Sequence, residues 1–434
     1  MLQNLQNHLH TNLPFLTGKK LLLAVSGGID SMVLVDLFSK IDFEIGIAHC
    51  NFQLRGEESF GDQEFVQNYA DVNQIPLYAT LFDTQSYAND YKLSTQVAAR
   101  ELRYNWFYEL LENEDYDFLL TAHHLDDSLE TFLINLSRGT GIEGLTGISE
   151  VNDKIIRPLL LFSREDIENY AHENNIQWRE DSSNASDKYV RNKIRHHLVP
   201  ILKELNSNFL TSFQKTQNYL QEAQLLVEDA AELVFQQVAQ EKEGGIYFNL
   251  PKLLQLDNYK SYLYQWLKQY GFTAWDDIYD LVTAQSGKYI VSEHYRLVKD
   301  RDFLILSPIT KIENHEFYIQ ENENQLKFPI KLTLSDESHI QIPSNRTIFV
   351  DKETLKFPLK IRKWQEGDYF YPSGMKGKKK VSKYFKDEKF SLLDKESTWL
   401  LCSANEIIWI INYRADQRFL ATENTQHLLK IEVH

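Results

Sequence analysis

The sequence predicts an α/β protein: a doubly wound, mostly parallel sheet first, then a helical middle domain, then a small α+β C-terminal domain. Three observations carry this reading. Short apolar runs alternate with helix-like segments between Leu21 and Leu136. A two-glycine turn, Ser26-Gly27-Gly28-Ile29-Asp30-Ser31, separates the first apolar run from the first helix. Near residue 210 the alternation stops, first for a long helical stretch and later for short β segments.

In order, Leu21–Val25, Phe43–His49, Pro76–Leu81 and Asp117–His123 read as strands. Met32–Ser39, Asp62–Val72, Thr95–Leu111 and Asp127–Leu136 read as the helices between or after them. Strands alternating with helices argue for a parallel sheet, whose ligands bind beyond the carboxyl ends of its strands. Ser26–Ser31, His49–Arg55 and His123–Asp127 all fall there. Leu210–Gln240, Asn258–Tyr270 and Ala274–Gln285 read as helices, and Tyr289–Leu306 as a hairpin. Residues 310–340 are polar and strand-like, and short β segments such as Ile407–Ile411 follow Leu359. At 434 residues the chain is too long for one core. The expected division is a catalytic domain over 1–210, a helical linker over 211–310 and a C-terminal domain over 311–434.

Composition excludes several classes. No apolar run approaches the roughly 20 residues that span a bilayer, so a membrane is not expected as a partner. Met1-Leu2-Gln3-Asn4-Leu5 has neither a basic flank nor a signal-like apolar core. Cys50 and Cys402 stand alone, which leaves no disulfide framework and no C-x-x-C pair. The expected compartment is the cytoplasm. A net charge of −16 argues against nucleic acid, but basic residues cluster. Lys188, Arg191, Lys193, Arg195, His196 and His197 form one group. Lys376, Lys378, Lys379, Lys380, Lys383, Lys386 and Lys389 form another.

The hexapeptide carries the first chemical signal. Its glycines let backbone N–H groups approach an anion at a helix N-terminus, and Ser31 adds a hydroxyl. No lysine follows them, so this is not a Walker A loop. The second signal is Ala122-His123-His124-Leu125-Asp126-Asp127-Ser128-Leu129-Glu130-Thr131. Asp127 and Glu130 are three apart and share a helix face. They suit Mg²⁺ or a cationic amine, and capping by Asp126 or Asp127 is compatible with that role. Arg100, Arg103 and Tyr104 recur at helical spacing, either as a solvated basic face or as a source of phosphate neutralisation. Ser137–Ile148, with Gly139, Gly141, Gly144 and Gly147, is too rich in glycine for a regular helix and reads as a mobile substrate loop or an ordinary flexible linker. Asp181 and Asn184 read as turn formers, and Arg191 and Arg195 as phosphodiester contacts.

Taken together, SGGxDS, AHHxDDxxET, RGTGxxGLxGI, RPLL and RNxIR resemble the tRNA(Ile)-lysidine synthetases of the PP-loop ATP pyrophosphatase superfamily. The resemblance covers roughly residues 18–200 and resumes over 360–430. There Gly367–Met375, Lys379–Phe385, Trp409–Arg414 and Arg418–Thr422 look like the family's C-terminal domain. Two positions depart from the family pattern. Asn412 replaces a glycine, and His49-Cys50-Asn51-Phe52 lacks the second histidine of His-x-Asn-His.

The resemblance implies ligation of free lysine to C2 of the wobble cytidine in a CAU-anticodon tRNA(Ile). ATP adenylates the cytidine and leaves as AMP and diphosphate. By position, Ser26, Gly27, Gly28, Ile29, Asp30 and Ser31 hold ATP. Asp30, Arg103, Asp127 and Glu130 are catalytic, and Asp30 and Asp127 are the Mg²⁺ carboxylates. Arg191, Arg195, Lys378, Lys379, Lys380 and Lys383 meet the tRNA, although a solubilising loop is the plainer reading of the lysines. The family often dimerises, which adds a homodimer. A PP-loop thiolase lacks its cysteines here. A small-molecule ligase leaves the extra domains without a purpose, and a non-enzymatic RNA binder leaves the ATP loop without one.

Overall fold

The computed structural model describes residues 1–180, 190–242, 244–309, 316–341 and 344–434. Lys188 and the Asp181–Asn184 turn lie outside them. The chain divides into two compact units, Met1–Val227 and Glu228–His434.

Strand β1 (Lys20–Ala24) is the centre of the first unit. Leu21, Leu22 and Leu23 are all fully buried, as expected of a parallel strand covered on both faces. The remaining strands are β2 (Glu44–Asn51), β3 (Leu77–Leu81), β4 (Phe118–Leu120), β5 (Val151–Asn152) and β6 (Ile155–Ile156). Their order is β3-β2-β1-β4-β6-β5. All neighbours run parallel except β5, which is antiparallel to β6.

The helices are α1 (Leu2–Asn12), α2 (Ile29–Ser39), α3 (Glu57–Asn73), α4 (Thr84–Asp90), α5 (Thr95–Asn113), α6 (Leu125–Arg138), α7 (Ile142–Leu145), α8 (Arg164–Glu173), α9 (Val190–Lys193) and α10 (Val199–Leu205). The long helix α11 (Phe209–Val238) follows, in place of the expected 210–240. The two-residue period of β1 sorts its side chains. Leu21 and Leu23 join a core with α1, α2 and α8. Leu22 faces the opposite way, into a cluster with Phe107, Leu110 and Leu111 of α5. This is the doubly wound arrangement expected from the sequence, with α1, α4, α7, α8, α9 and α10 as additions to the expected helices, α7 being one turn within the glycine-rich stretch expected as a loop.

Topology then positions the site. The chain passes from β1 to β2 to β3 in one direction, and α5 returns it to β4 on the other side of β1. The reversal opens a crevice at the carboxyl ends of β1 and β4.

The second unit begins with a five-stranded antiparallel sheet built from Ala239–Lys242, Gly245–Asn249, Phe303–Pro308, Tyr295–Asp300 and Tyr289–Val291. Helices Tyr259–Leu267 and Trp275–Leu281 share its core, where Phe248 stacks on Trp266 at 5.6 Å. The expected helices and hairpin are present, and the sheet is larger than the hairpin alone.

Further on, two antiparallel sheets share one core. Ile319, Ile361 and Leu401 contribute from one, and Leu334, Ile348 and Ile431 from the other. The short helix Val381–Asp387 buries Val381, Tyr384 and Phe385 in a second cluster with Leu400, Cys402 and Ile410. Among the described residues no helix is long and apolar enough to cross a membrane.

Candidate active site

The glycine loop connects β1 to α2. Gly27 has φ +91°, a conformation that favours glycine. The loop packs on α3, where a Cβ at Gly27 would meet Val66 at 3.5 Å and Phe65 at 3.7 Å, ordinary contact distances, so the backbone angle and not crowding calls for glycine. Ser31, buried in the first turn of α2, folds back beneath the loop. Its Oγ donates to the Gly28 carbonyl at 2.8 Å and accepts from the N–H groups of Ser26 and Gly27 at 3.2 Å. Those donors are thus gathered around one oxygen, the arrangement an anion needs.

A cavity of about 270 Å³ opens over the loop in the crevice between β1 and β4. Ser26, Asp30, Ser31, Arg103, Asp127 and Arg191 all line it. Most of the residues singled out in the N-terminal sequence therefore converge. Arg103 reaches in from α5, its guanidinium 5.0 Å from the centre of the Phe52 ring. Phe52 occupies the position of the family's second histidine, and stacks in turn on Phe82 at 5.6 Å. An apolar ring there gives Arg103 a platform.

Asp127 caps its own helix by accepting from the His124 N–H at 3.1 Å. His124, buried, has Nε2 3.7 Å from Asp30 and 3.5 Å from Asp127, so one imidazole edge adjoins both carboxylates. Burial pushes the Asp127 carboxyl up, but His124, His123, the His124 N–H and Arg191 outweigh it and hold the group below its usual range. Burial pushes His123, on the cavity wall, down to about 4, and Arg157 and Arg191 add to the fall despite Asp127. Burial likewise pushes the Cys50 thiol up to about 12 against the pull of Arg103, so it carries no nucleophilic thiolate at neutral pH.

Glu130 is the exception among the expected catalytic residues. Its side chain is 1% exposed and lies behind the cavity wall. Arg195 donates to its two oxygens at 2.5 and 3.0 Å. Arg191 approaches within 3.4 Å. Burial raises the Glu130 carboxyl above its usual range, and Asp127 adds to this, in spite of Arg195. Arg195 also reaches Asp127 at 3.3 Å, and Arg191 donates to Thr131 at 2.7 Å. Both arginines expected on RNA thus face the carboxylates of α6.

Sequence reasoning passed over Arg164. Its Nη1 meets both oxygens of Asp30, at 2.7 and 2.6 Å, while its main-chain N–H donates to Asp126 at 2.8 Å. The local signal was Ser163, which caps α8 by accepting from Asp166 and so turns Arg164 toward the site.

A family model described as a PP-loop domain matches residues 1–202. A TilS substrate binding domain matches 241–309, and a TilS substrate C-terminal domain matches 359–433. The tRNA(Ile)-lysidine synthase of Parabacteroides distasonis is 39% identical over 95% of this chain and 94% of its own length. That of Bacteroides thetaiotaomicron is 38% identical over 96% and 95%. That of Porphyromonas gingivalis is 35% identical over 94% and 93%. The chain belongs to the tRNA(Ile)-lysidine synthases.

The matched C-terminal domain holds a second, basic cavity of about 610 Å³. Tyr369, Met375, Lys376, Lys378, Lys379, Lys380 and Lys383 line it. Strand pairing sets Tyr369 opposite Lys380 and Phe370 opposite Lys379. Lys379 turns inward, bonded to Asp387 at 2.8 Å, whereas Lys376, Lys378, Lys380 and Lys383 are exposed. Lys378 lies 5.0 Å from the Tyr369 ring centre.

Proposed function

We propose that this chain joins the ε-amine of free lysine to C2 of the wobble cytidine in CAU-anticodon tRNA(Ile), through an adenylated cytidine. Family membership makes it an ATP-using ligase that forms lysidine on tRNA(Ile). The observation supporting the residue-level reading is the single cavity that gathers the glycine loop, Asp30, Arg103 and Asp127.

The C2 carbonyl of cytidine is a poor electrophile because its oxygen is a poor leaving group, and adenylation turns that oxygen into AMP. Ser26–Ser31 and the N-terminus of α2 receive the departing diphosphate through backbone N–H groups. Arg103, seated on Phe52, offsets negative charge at the reacting phosphate.

Asp30 and Asp127 are hard oxygen donors beside one cavity, and Mg²⁺ takes one or two carboxylates together with substrate phosphates and water. The pair therefore fits the ion, whose chemistry when bound is to neutralise phosphate charge.

Lysine must attack as the free amine. With a pKa near 10.4, about four molecules in ten thousand are neutral at pH 7, a cost of about 4.6 kcal/mol. Asp127, held anionic, orients the ammonium and takes a proton as attack makes the nitrogen acidic. Glu130 is a positioning residue, acting through Arg195 and Arg191. Arg191 at the cavity and Lys378, Lys380 and Lys383 contact the RNA backbone. Lys379 and Arg195 serve from within, held by Asp387 and Glu130. Two unpaired cysteines suit a cytoplasmic setting, and a homodimer is part of the proposal.

Incubation with ATP, labelled lysine and a panel of tRNAs tests this. Label should enter CAU-anticodon tRNA(Ile) alone, with one AMP formed per lysine. Label in other tRNAs, or AMP formation that ignores lysine, overturns it.

A further inference from the structure

The polar cluster behind the glycine loop has no part in the chemistry above. Asp62 of α3 is 8% exposed and divides its carboxylate between two arginines. Oδ2 accepts from Arg55 at 2.8 Å and Oδ1 from Arg179 at 2.5 Å. The Arg179 guanidinium passes over Gly61, where a Cβ would sit 3.0 Å from Nη2. The main-chain N–H of Arg179 donates to the carbonyl of Gly27 at 3.0 Å. One residue before the loop, His49 Nδ1 donates to the Val25 carbonyl at 2.8 Å. The loop is therefore held from behind at two carbonyls.

The bond to Gly27 fixes a direction. The Gly27–Gly28 peptide is trans, so its carbonyl and the N–H of Gly28 point opposite ways. With the carbonyl turned toward Arg179, the Gly28 N–H donates to Ser26 Oγ at 3.3 Å, and Ser26 lines the cavity.

We propose that Asp62 is a positioning residue for ATP. Through Arg179 it holds the Gly27 peptide so that the Gly28 N–H is presented to the phosphates. This rests on the reading of Ser26–Ser31 as the phosphate loop. Asp62 touches no substrate. It acts by sparing the loop the ordering that binding would otherwise require.

Steady-state lysine incorporation by the full chain tests the proposal. Asp62→Asn and Arg179→Ala should each raise the KM for ATP about tenfold, the loss expected for one charged hydrogen bond. The KM for lysine and kcat at saturating ATP should hold. The double variant should be no worse than either single one, because both cut the same link. Arg179 is 40% exposed on its side chain, so its truncation leaves the core intact.

Gly27→Ala, strained at φ +91°, serves as the loop control. An ATP KM that rises for Gly27→Ala but not for Asp62→Asn or Arg179→Ala would overturn the positioning role alone. Additive losses in the double variant overturn it too, as does a joint shift of both KM values with a lowered melting temperature. An unchanged ATP KM in Gly27→Ala removes the loop reading itself, and the proposal with it.

Discussion

At the N-terminal cavity and just behind its wall each expected carboxylate already faces an arginine: Asp30 meets Arg164, and Glu130 and Asp127 both meet Arg195. In the C-terminal lysine cluster Lys379 is tied to Asp387, while Lys376, Lys378, Lys380 and Lys383 stand exposed beside Tyr369. Paired, buried charges cost little to reorganise and act over a few ångströms, so they suit a site that must place atoms. Unpaired surface charges project a field and release counterions from a polyanion, so they suit a surface that must attract one. On the proposed reading, a chain of net charge −16 binds RNA through that second arrangement because it is local.

The largest expected effect breaks the first arrangement at its centre. Asp127→Asn keeps the shape but removes the anion that orients the amine. Single-turnover lysine transfer should fall about 10²- to 10³-fold, the scale for losing one preorganised electrostatic group. Near-normal transfer would mean that the paired charges of α6 are structural. Arg103→Ala should cost less, about 10- to 100-fold in the same assay, since the Phe52 platform and the loop donors remain. If it raised only the KM for tRNA, Arg103 would belong with the attracting surface.

The second arrangement breaks differently. Replacing Lys378, Lys380 and Lys383 with glutamine should weaken tRNA binding about tenfold and lower the salt slope by about one for each phosphate no longer neutralised. Transfer at saturating tRNA should persist. An unchanged slope in a filter-binding titration would sink the assignment.

What was legible in the sequence was local. The apolar run Leu21–Val25, the two glycines and the residues after them specify strand, turn and helix within a dozen residues, and all three stand in the structure. Asn412, in place of a family glycine, has φ +70°, a conformation asparagine tolerates better than most residues. What was not legible was pairing at a distance. Glu130 and Asp127 share a helix face as expected. Nothing within α6 reveals that Arg195 closes over Glu130 and withdraws it from the cavity. The contact of Arg164 with Asp30 joins residues 134 positions apart in the chain. Ala239 and Gln240 read as the end of the preceding helix because the strand character of Ala239–Lys242 comes from pairing with Gly245–Asn249, not from its own composition.

The smallest effect probes how dry the cavity wall is. His123 in the folded state titrates at about 4, below the 6.5 of an unburied imidazole. Between those values the unfolded chain binds more protons than the folded one, so this residue's contribution to stability is present above pH 6.5 and is lost as pH falls toward 4. Between pH 6.5 and 5.5 a single such group removes about 1 kcal/mol. His123→Gln cannot titrate. The difference in unfolding free energy between the two proteins should therefore shrink, or turn in the variant's favour, by that amount over the same interval in urea titrations. His49 is also held low by burial, but it is present in both proteins and cancels. A difference independent of pH would mean that water reaches His123 and hydrates its charge. The cavity would then be wetter than catalysis by paired, desolvated charges requires, and the contrast with the lysine surface would narrow.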